Sequence, residues 1–214
     1  MKGPHQGQPV RTAGAPLAQA RAAMVLVHGR GATADSILTL ASALGRNDFA
    51  YLAPQASGDT WYPYSFLAAI PQNEPGISSG IQAIADVLDT ITATGIPLER
   101  TILLGFSQGA CLCVEFAARN ARPYGGIACL SGGLIGPHDT PRDYAGSFDG
   151  TPAFLGCSDV DSHVPKERVE ISAEVLRRLG ADVTMRLYPG MGHLINDDEI
   201  VEVQGIMDGA LRLP

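Results

Sequence analysis

The chain has 214 residues, 45% of them apolar and 17% charged, which suits one domain with a sizeable core and excludes bulk disorder. A net charge of −7, with Arg and Lys scattered along the chain, argues against a nucleic-acid footprint. No stretch has the apolar length of a membrane span or the pattern of a signal peptide, so a cytoplasmic protein is expected.

The first twenty residues are rich in Gly, Pro and Gln and predict a loosely packed arm, with a short helix around residues 17–21. Residues 23–27, all apolar, predict a strand covered on both faces and closed by His28-Gly29-Arg30-Gly31. Residues 34–44 carry apolar side chains at helical spacing, with Thr33 or Asp35 placed to cap them. A strand over 49–53 stops at Pro54. The connection 54–75 that follows gathers Trp61, Tyr62, Tyr64 and Phe66, including the only tryptophan. Residues 76–94 predict an amphipathic helix with Ile77, Ile81, Ile84, Leu88 and Ile91 on one stripe.

The next segment, T-I-L-L-G-F-S-Q-G, is a strand that breaks into Gly105-Phe106-Ser107-Gln108-Gly109, followed by a helix over 108–121. G-x-S-x-G between a strand and a helix is the layout that exposes a serine at the tip of a sharp turn. Further strands are predicted over 126–130, 153–157 and 183–188, with helices over 165–179 and 196–213 and an irregular segment over 134–150. Strands alternating with helices make a mainly parallel sheet with helices on both faces and no second domain.

In such a sheet the chemistry lies beyond the C-terminal strand ends. Reading those ends in order yields His28-Gly29-Arg30-Gly31, then Ser107, then Ser158-Asp159-Val160-Asp161, then Pro189-Gly190-Met191-Gly192-His193. A hydroxyl, two carboxylates and an imidazole therefore share one edge. A serine hydroxyl needs a base to take its proton, and the base needs a carboxylate to set its tautomer. His193 is preferred over His138 and His163 because it alone follows the last strand, on a loop that Gly190 and Gly192 make pliant. Asp159 and Asp161 both qualify as the acid. The backbone amides of Arg30 and Gln108 are the expected oxyanion donors. His28 reads as structural, and the aromatic stretch around Trp61 and Tyr62 reads equally as a substrate wall or as loop packing. An Arg30 side chain facing the cleft would attract an anionic group.

The four cysteines (Cys111, Cys113, Cys129, Cys157) fall in segments that read as buried, and a two-residue spacing on a helix sends Cys111 and Cys113 in different directions. That excludes a zinc site and predicts reduced thiols.

Six pieces of the sequence, V-L-V-H-G-R-G-A, A-P-Q-A-S-G-D-T-W-Y, L-L-G-F-S-Q-G-A, C-L-S-G, D-S-H-V-P and G-M-G-H, together resemble the phospholipase/carboxylesterase family of α/β-hydrolases, relatives of acyl-protein thioesterases. The resemblance implies a compact α/β-hydrolase fold without a large lid, and a serine hydrolase that cleaves small-molecule esters or thioesters through an acyl-enzyme. It implies no cofactor and no metal, and a homodimer is common among such relatives. It carries the triad to Ser107, Asp161 and His193 and the oxyanion amides to Arg30 and Gln108; the Val164-Pro165 pair that follows Asp161 favours that acid over Asp159. Three positions depart from the family pattern. The short arm leaves little room for the usual extra N-terminal strands. Cys157-Ser158 stands where a His-Gly pair commonly precedes the acid, and Arg30 replaces a frequent apolar residue. Two rivals remain at this point: a non-catalytic ligand-binding protein on the same fold, and a dienelactone-hydrolase-like enzyme, whose nucleophile would be cysteine rather than the serine found at 107.

Overall fold

A computed structural model describes residues 3–212. Seven strands form one sheet in the order β1-β3-β2-β4-β5-β6-β7: β1 Val10–Gly14, β2 Ala22–Val27, β3 Phe49–Pro54, β4 Thr101–Phe106, β5 Gly126–Leu130, β6 Pro152–Ser158 and β7 Asp182–Tyr188. All neighbours run parallel except β1, which pairs antiparallel with β3 from Val10↔Pro54 to Gly14↔Ala50. The strand that leads into Ser107, β4, is thus the middle one of seven.

Side-chain alternation in β2 shows why the sheet is covered twice. Ala23, Val25 and Val27 enter one core, while Ala22, Met24 and Leu26 enter the other, and all six are fully buried. Helices α3 (Gly76–Thr92), α4 (Gln108–Arg119) and α5 (Lys166–Arg178) contribute Ile84, Phe116 and Leu176 to the first core. Helices α1 (Ala34–Leu38), α2 (Leu40–Leu44) and α6 (Asp197–Arg212) contribute Ile37, Leu44 and Met207 to the second. Each such large apolar side chain stabilises the fold by about 1.5–3 kcal/mol relative to exposure. The Ile77–Ile91 stripe predicted on α3 faces the first core as expected.

Two expectations need correction. The N-terminal arm is not loosely packed. It supplies β1, and a 3-10 turn over Leu17–Gln19 occupies part of the expected short helix. His5 is 4% exposed and holds the arm down: its amide donates to Ser79 Oγ at 2.8 Å, and its ring bonds Trp61 O at 2.8 Å. The expected helix over 34–44 is two helices. Thr33 caps the first through a reciprocal box with Ser36, and Thr39 breaks the run by bonding its own hydroxyl back to Ser36 O at 2.7 Å. The last helix is described over Asp197–Arg212, and Leu213 of the predicted span lies outside the described residues.

Candidate active site

The turn after β4 is built by glycines. A Cβ on Gly105 would stand 2.4 Å from Gly109 O, and one on Gly109 would stand 2.1 Å from Val27 O. With hydrogens at both positions, α4 starts directly against the ends of β4 and β2. Ser107 between them adopts φ 56°, ψ −122°, a backbone state costly for any residue with a Cβ, held by its amide donating to Leu130 O at 2.9 Å. Such strain costs on the order of 1–3 kcal/mol and lifts the hydroxyl clear of the sheet.

His193 meets that hydroxyl. Its Nε2 lies 2.8 Å from Ser107 Oγ, and its Nδ1 lies 2.7 Å from Asp161 Oδ2. An ionised carboxylate can only accept, so Nδ1 carries the proton and Nε2 presents its lone pair to the serine. Gly190 and Gly192 both adopt positive φ, 66° and 81°, which lets the loop after β7 turn back over the sheet edge. The imidazole is lodged between rings: Phe106 at 5.1 Å and, edge-on, His163 at 4.7 Å between centroids.

The two aspartates separate clearly. The Asp161 side chain is fully buried, and its Oδ1 accepts from the His163 and Val164 amides at 2.8 and 3.1 Å. Burial alone would raise its pKa, but the hydrogen bonds from His193 and the two amides outweigh it and hold the carboxyl below its ordinary value. Asp159 does not touch the imidazole; its Oδ1 accepts from Gly190 N at 2.8 Å and so ties down the loop carrying His193. Of the other histidines, His138 is exposed, away from the cleft lining, while His163 lines the cleft. Cys157, in place of the family's usual residue before the acid, points its thiol at Asp161 Oδ2 across 3.7 Å. Burial first, and the Asp161 charge second, push that thiol up to about 12.

A cleft of about 420 Å³ opens over Ser107 and His193, walled by Tyr62, Phe66, Cys111 and Arg30. Tyr62 and Arg30 lie where the sequence suggested; Trp61 does not. Trp61 is fully buried behind the wall, its indole N–H donating to His28 O at 2.9 Å and its ring 5.1 Å from those of both His5 and His28. The loop around it is fastened from three sides, which aims Tyr62 at the cleft and Trp61 at the core. Gln108 Oε1 accepts from the Trp61 amide at 2.9 Å, and Gln108 Nε2 donates to Tyr62 O at 2.8 Å. His28 Nε2 accepts from the Ala56 amide at 3.1 Å, leaving its Nδ1 to donate to Gly29 O at 2.8 Å. His5 Nδ1 accepts from the Ser57 amide at 3.1 Å. Both histidines are thereby neutral struts, and burial lowers the pKa of each.

Sequence reasoning had no sight of the Gln108 side-chain tie or of His5. The only signal for the first was a glutamine, rather than an apolar residue, opening a buried helix. The backbone amides of Arg30 and Gln108 flank Ser107 in chain topology, one leaving β2 and one opening α4, and neither donates to a protein oxygen among the described residues. All four cysteines are buried and unpaired.

Residues 13–208 match the family described as phospholipase/carboxylesterase. The chain belongs to that family. A phospholipase/carboxylesterase structure from Dyadobacter fermentans is 43% identical with a TM-score of 0.91, covering 95% of this chain and 97% of that one. An acyl-protein thioesterase 1 of Gibberella zeae is 35% identical over 123 residues, 53% of this chain and 49% of that protein. A probable carboxylesterase of Oryza sativa subsp. japonica is 25% identical over 142 residues, 66% of this chain and 53% of that protein. The chain thus spans about half the length of the curated relatives it matches. Among the described residues of this phospholipase/carboxylesterase family member, no helix is long and apolar enough to cross a membrane.

Proposed function

We propose that this protein is a serine hydrolase that cleaves small carboxylic esters or thioesters through an acyl-enzyme. The observation that carries the reading is the continuous relay Ser107–His193–Asp161, with links of 2.8 and 2.7 Å. In the proposed cycle His193 Nε2 takes the Ser107 proton as Oγ attacks the carbonyl carbon. The negative charge that develops on the carbonyl oxygen is received by the Arg30 and Gln108 amides, the second at the positive end of α4. His193 then returns the proton to the departing alkoxide or thiolate, and Asp161 holds the imidazolium meanwhile. Water repeats the sequence on the ester of Ser107 and frees the acid. The steps are carried by these side chains and amides alone.

A non-catalytic binder on this fold has no use for a strained serine bonded to an oriented imidazole, and serine at 107 disfavours the cysteine-nucleophile rival. Tyr62 belongs to the proposed substrate wall. Four buried thiols and an acidic surface fit the cytoplasm. A fluorophosphonate probe is expected to label wild type and not Ser107→Ala, and the same substitution should abolish turnover of nitrophenyl acetate. Undiminished turnover in that variant would sink the assignment.

A further inference from the structure

Arg30 stands out among the side chains of the cleft. It is the only Arg, Lys, Asp or Glu among the residues lining it. Elsewhere several arginines of this acidic protein sit against carboxylates, Arg11 with Asp35, Arg21 with Asp48, Arg119 and Arg142 with Glu115, Arg186 with Asp198, while the buried Arg168 is spent on the Leu134 and Gly136 carbonyls away from solvent. Arg30 has no such partner among the described residues. Its Nη1 donates to Pro63 O at 2.8 Å and its Nη2 to Tyr64 O at 2.6 Å, while its guanidinium carbon stands 6.0 Å from the Tyr62 ring centre. Two carbonyls fix the plane of the group and leave its full charge uncompensated. A guanidinium has five N–H donors. Three therefore remain for something else, on a side chain that is exposed yet already ordered.

We propose that the Arg30 guanidinium makes this cleft selective for esters or thioesters that carry a second, carboxylate group. The inference rests on the hydrolase reading above and names the substrate class of that same site. A carboxylate is the anion that paired guanidinium N–H groups bind best, and the pre-fixed plane spares part of the ordering cost of binding. Neutral substrates gain nothing from the unpaired charge. The overall charge of −7 works against long-range capture of anions, so the selectivity is local and short-ranged.

The test compares paired esters that differ by one carboxylate, each rate referred to that ester's own spontaneous hydrolysis so that leaving-group and neighbouring-carboxylate reactivity cancel. Nitrophenyl hydrogen succinate is set against nitrophenyl butyrate for an anion on the acyl side, and 4-acetoxybenzoate against phenyl acetate for one on the leaving group. In wild type one of the two pairs should show kcat/KM favouring the anion by about tenfold or more, the scale of one charge-assisted hydrogen bond. The preference should weaken as salt rises. Arg30→Gln keeps side-chain donors for the loop carbonyls but lacks the charge, and should erase the preference mainly through KM; Arg30→Lys should retain part of it. A merely structural arginine predicts a different result: both esters of each pair suffer alike in Arg30→Gln and the ratio stays put. That result, or no anion preference in either pair, overturns the proposal while leaving Ser107-dependent turnover intact, so the two readings fail separately.

Discussion

Glu199 offers the sharpest quantitative test of the interior. It is fully buried on the first turn of α6, three residues after Asn196, in a reciprocal cap: Oε2 accepts from the Asn196 amide at 3.0 Å and Asn196 Oδ1 accepts from the Glu199 amide at 2.8 Å. Its other oxygen, Oε1, has no hydrogen-bond partner and lies against β6, where a Cβ on Gly156 would come within 2.2 Å of it. Burial pushes the carboxyl from 4.5 up to about 7, the Asn196 amide opposing and the Asp198 charge assisting. At roughly 1.4 kcal/mol per pH unit, keeping Glu199 ionised costs the folded state about 3 kcal/mol. The sign follows from proton uptake. Between pH 4.5 and 7 the folded chain binds more protons than the unfolded one, so stability is greatest below that window and falls as pH rises through it. Glu199→Gln retains an acceptor for the Asn196 amide and removes the charge, at the cost of about 1 kcal/mol for amide hydrogens without partners. The variant should therefore be less stable than wild type by about 1 kcal/mol near pH 4.5 and more stable by about 2 kcal/mol at pH 8. Urea denaturation at a series of pH values, read from midpoints at unchanged slope, measures the difference. A stability difference that stays flat between pH 4.5 and 8 would refute the reasoning.

Four further variants have expected outcomes. Asp161→Asn should lower kcat by about 10⁴, because the amide no longer selects the imidazole tautomer that accepts from Ser107. Asp159→Asn, which leaves an acceptor for the Gly190 amide, should lower it less than tenfold, roughly the loss of one local hydrogen bond; ester kinetics on both variants read the contrast, and equal losses would contradict it. His5→Ala strips partners from Trp61 O and the Ser57 amide and should cost about 2 kcal/mol in urea melts at pH 8. Because burial lowers the His5 pKa, the contribution of a neutral His5 is complete above about pH 6.5 and is lost as pH falls below it, so the gap between variant and wild type should narrow by pH 5. Gly109→Ala drives a Cβ into Val27 O and should cost about 1–3 kcal/mol together with most turnover, visible in the same melts and assays.

Why some of this was legible from residue order and some was not has a physical answer. The parallel strands are buried on both faces, so each reads as an unbroken apolar run, and its end marks the reactive edge without any knowledge of contacts. That is enough to bring Ser107, His193 and the pair Asp159/Asp161 together. The choice between the aspartates turned on which carboxylate reaches an imidazole 32 residues away, a matter of loop path that only the family register anticipated. β1 went unseen because an edge strand owes its form to backbone pairing with β3, and V-R-T-A-G carries little apolar signal of its own. His5 was invisible for the same reason, since its partners lie 52 to 74 residues on. Trp61 stayed open between wall and packing because aromatic composition says that a loop will bury something, not which ring turns inward. The direction was decided by His28 O, waiting for an indole N–H at 2.9 Å.

The two hydrogen bonds between the Gln108 side chain and the loop at Trp61 and Tyr62 link two properties that enzyme engineers prefer to vary apart. The residue whose amide is proposed to receive the developing charge also sets, through its side chain, where the cleft wall stands. A substitution there moves rate and selectivity as one variable. The wall beyond that anchor, from Pro63 to Phe66, hangs on Asn73 and Arg30 instead, through Tyr64 N to Asn73 Oδ1 and Asn73 Nδ2 to Ser65 O at 2.8 and 2.9 Å. Changes in that outer half are expected to reshape what enters the cleft while the inner half keeps the surroundings of Ser107 as they are. The molecule thus carries a seam two residues wide, Gln108 on the inner side and Arg30 on the outer, between the part proposed to react and the part proposed to choose.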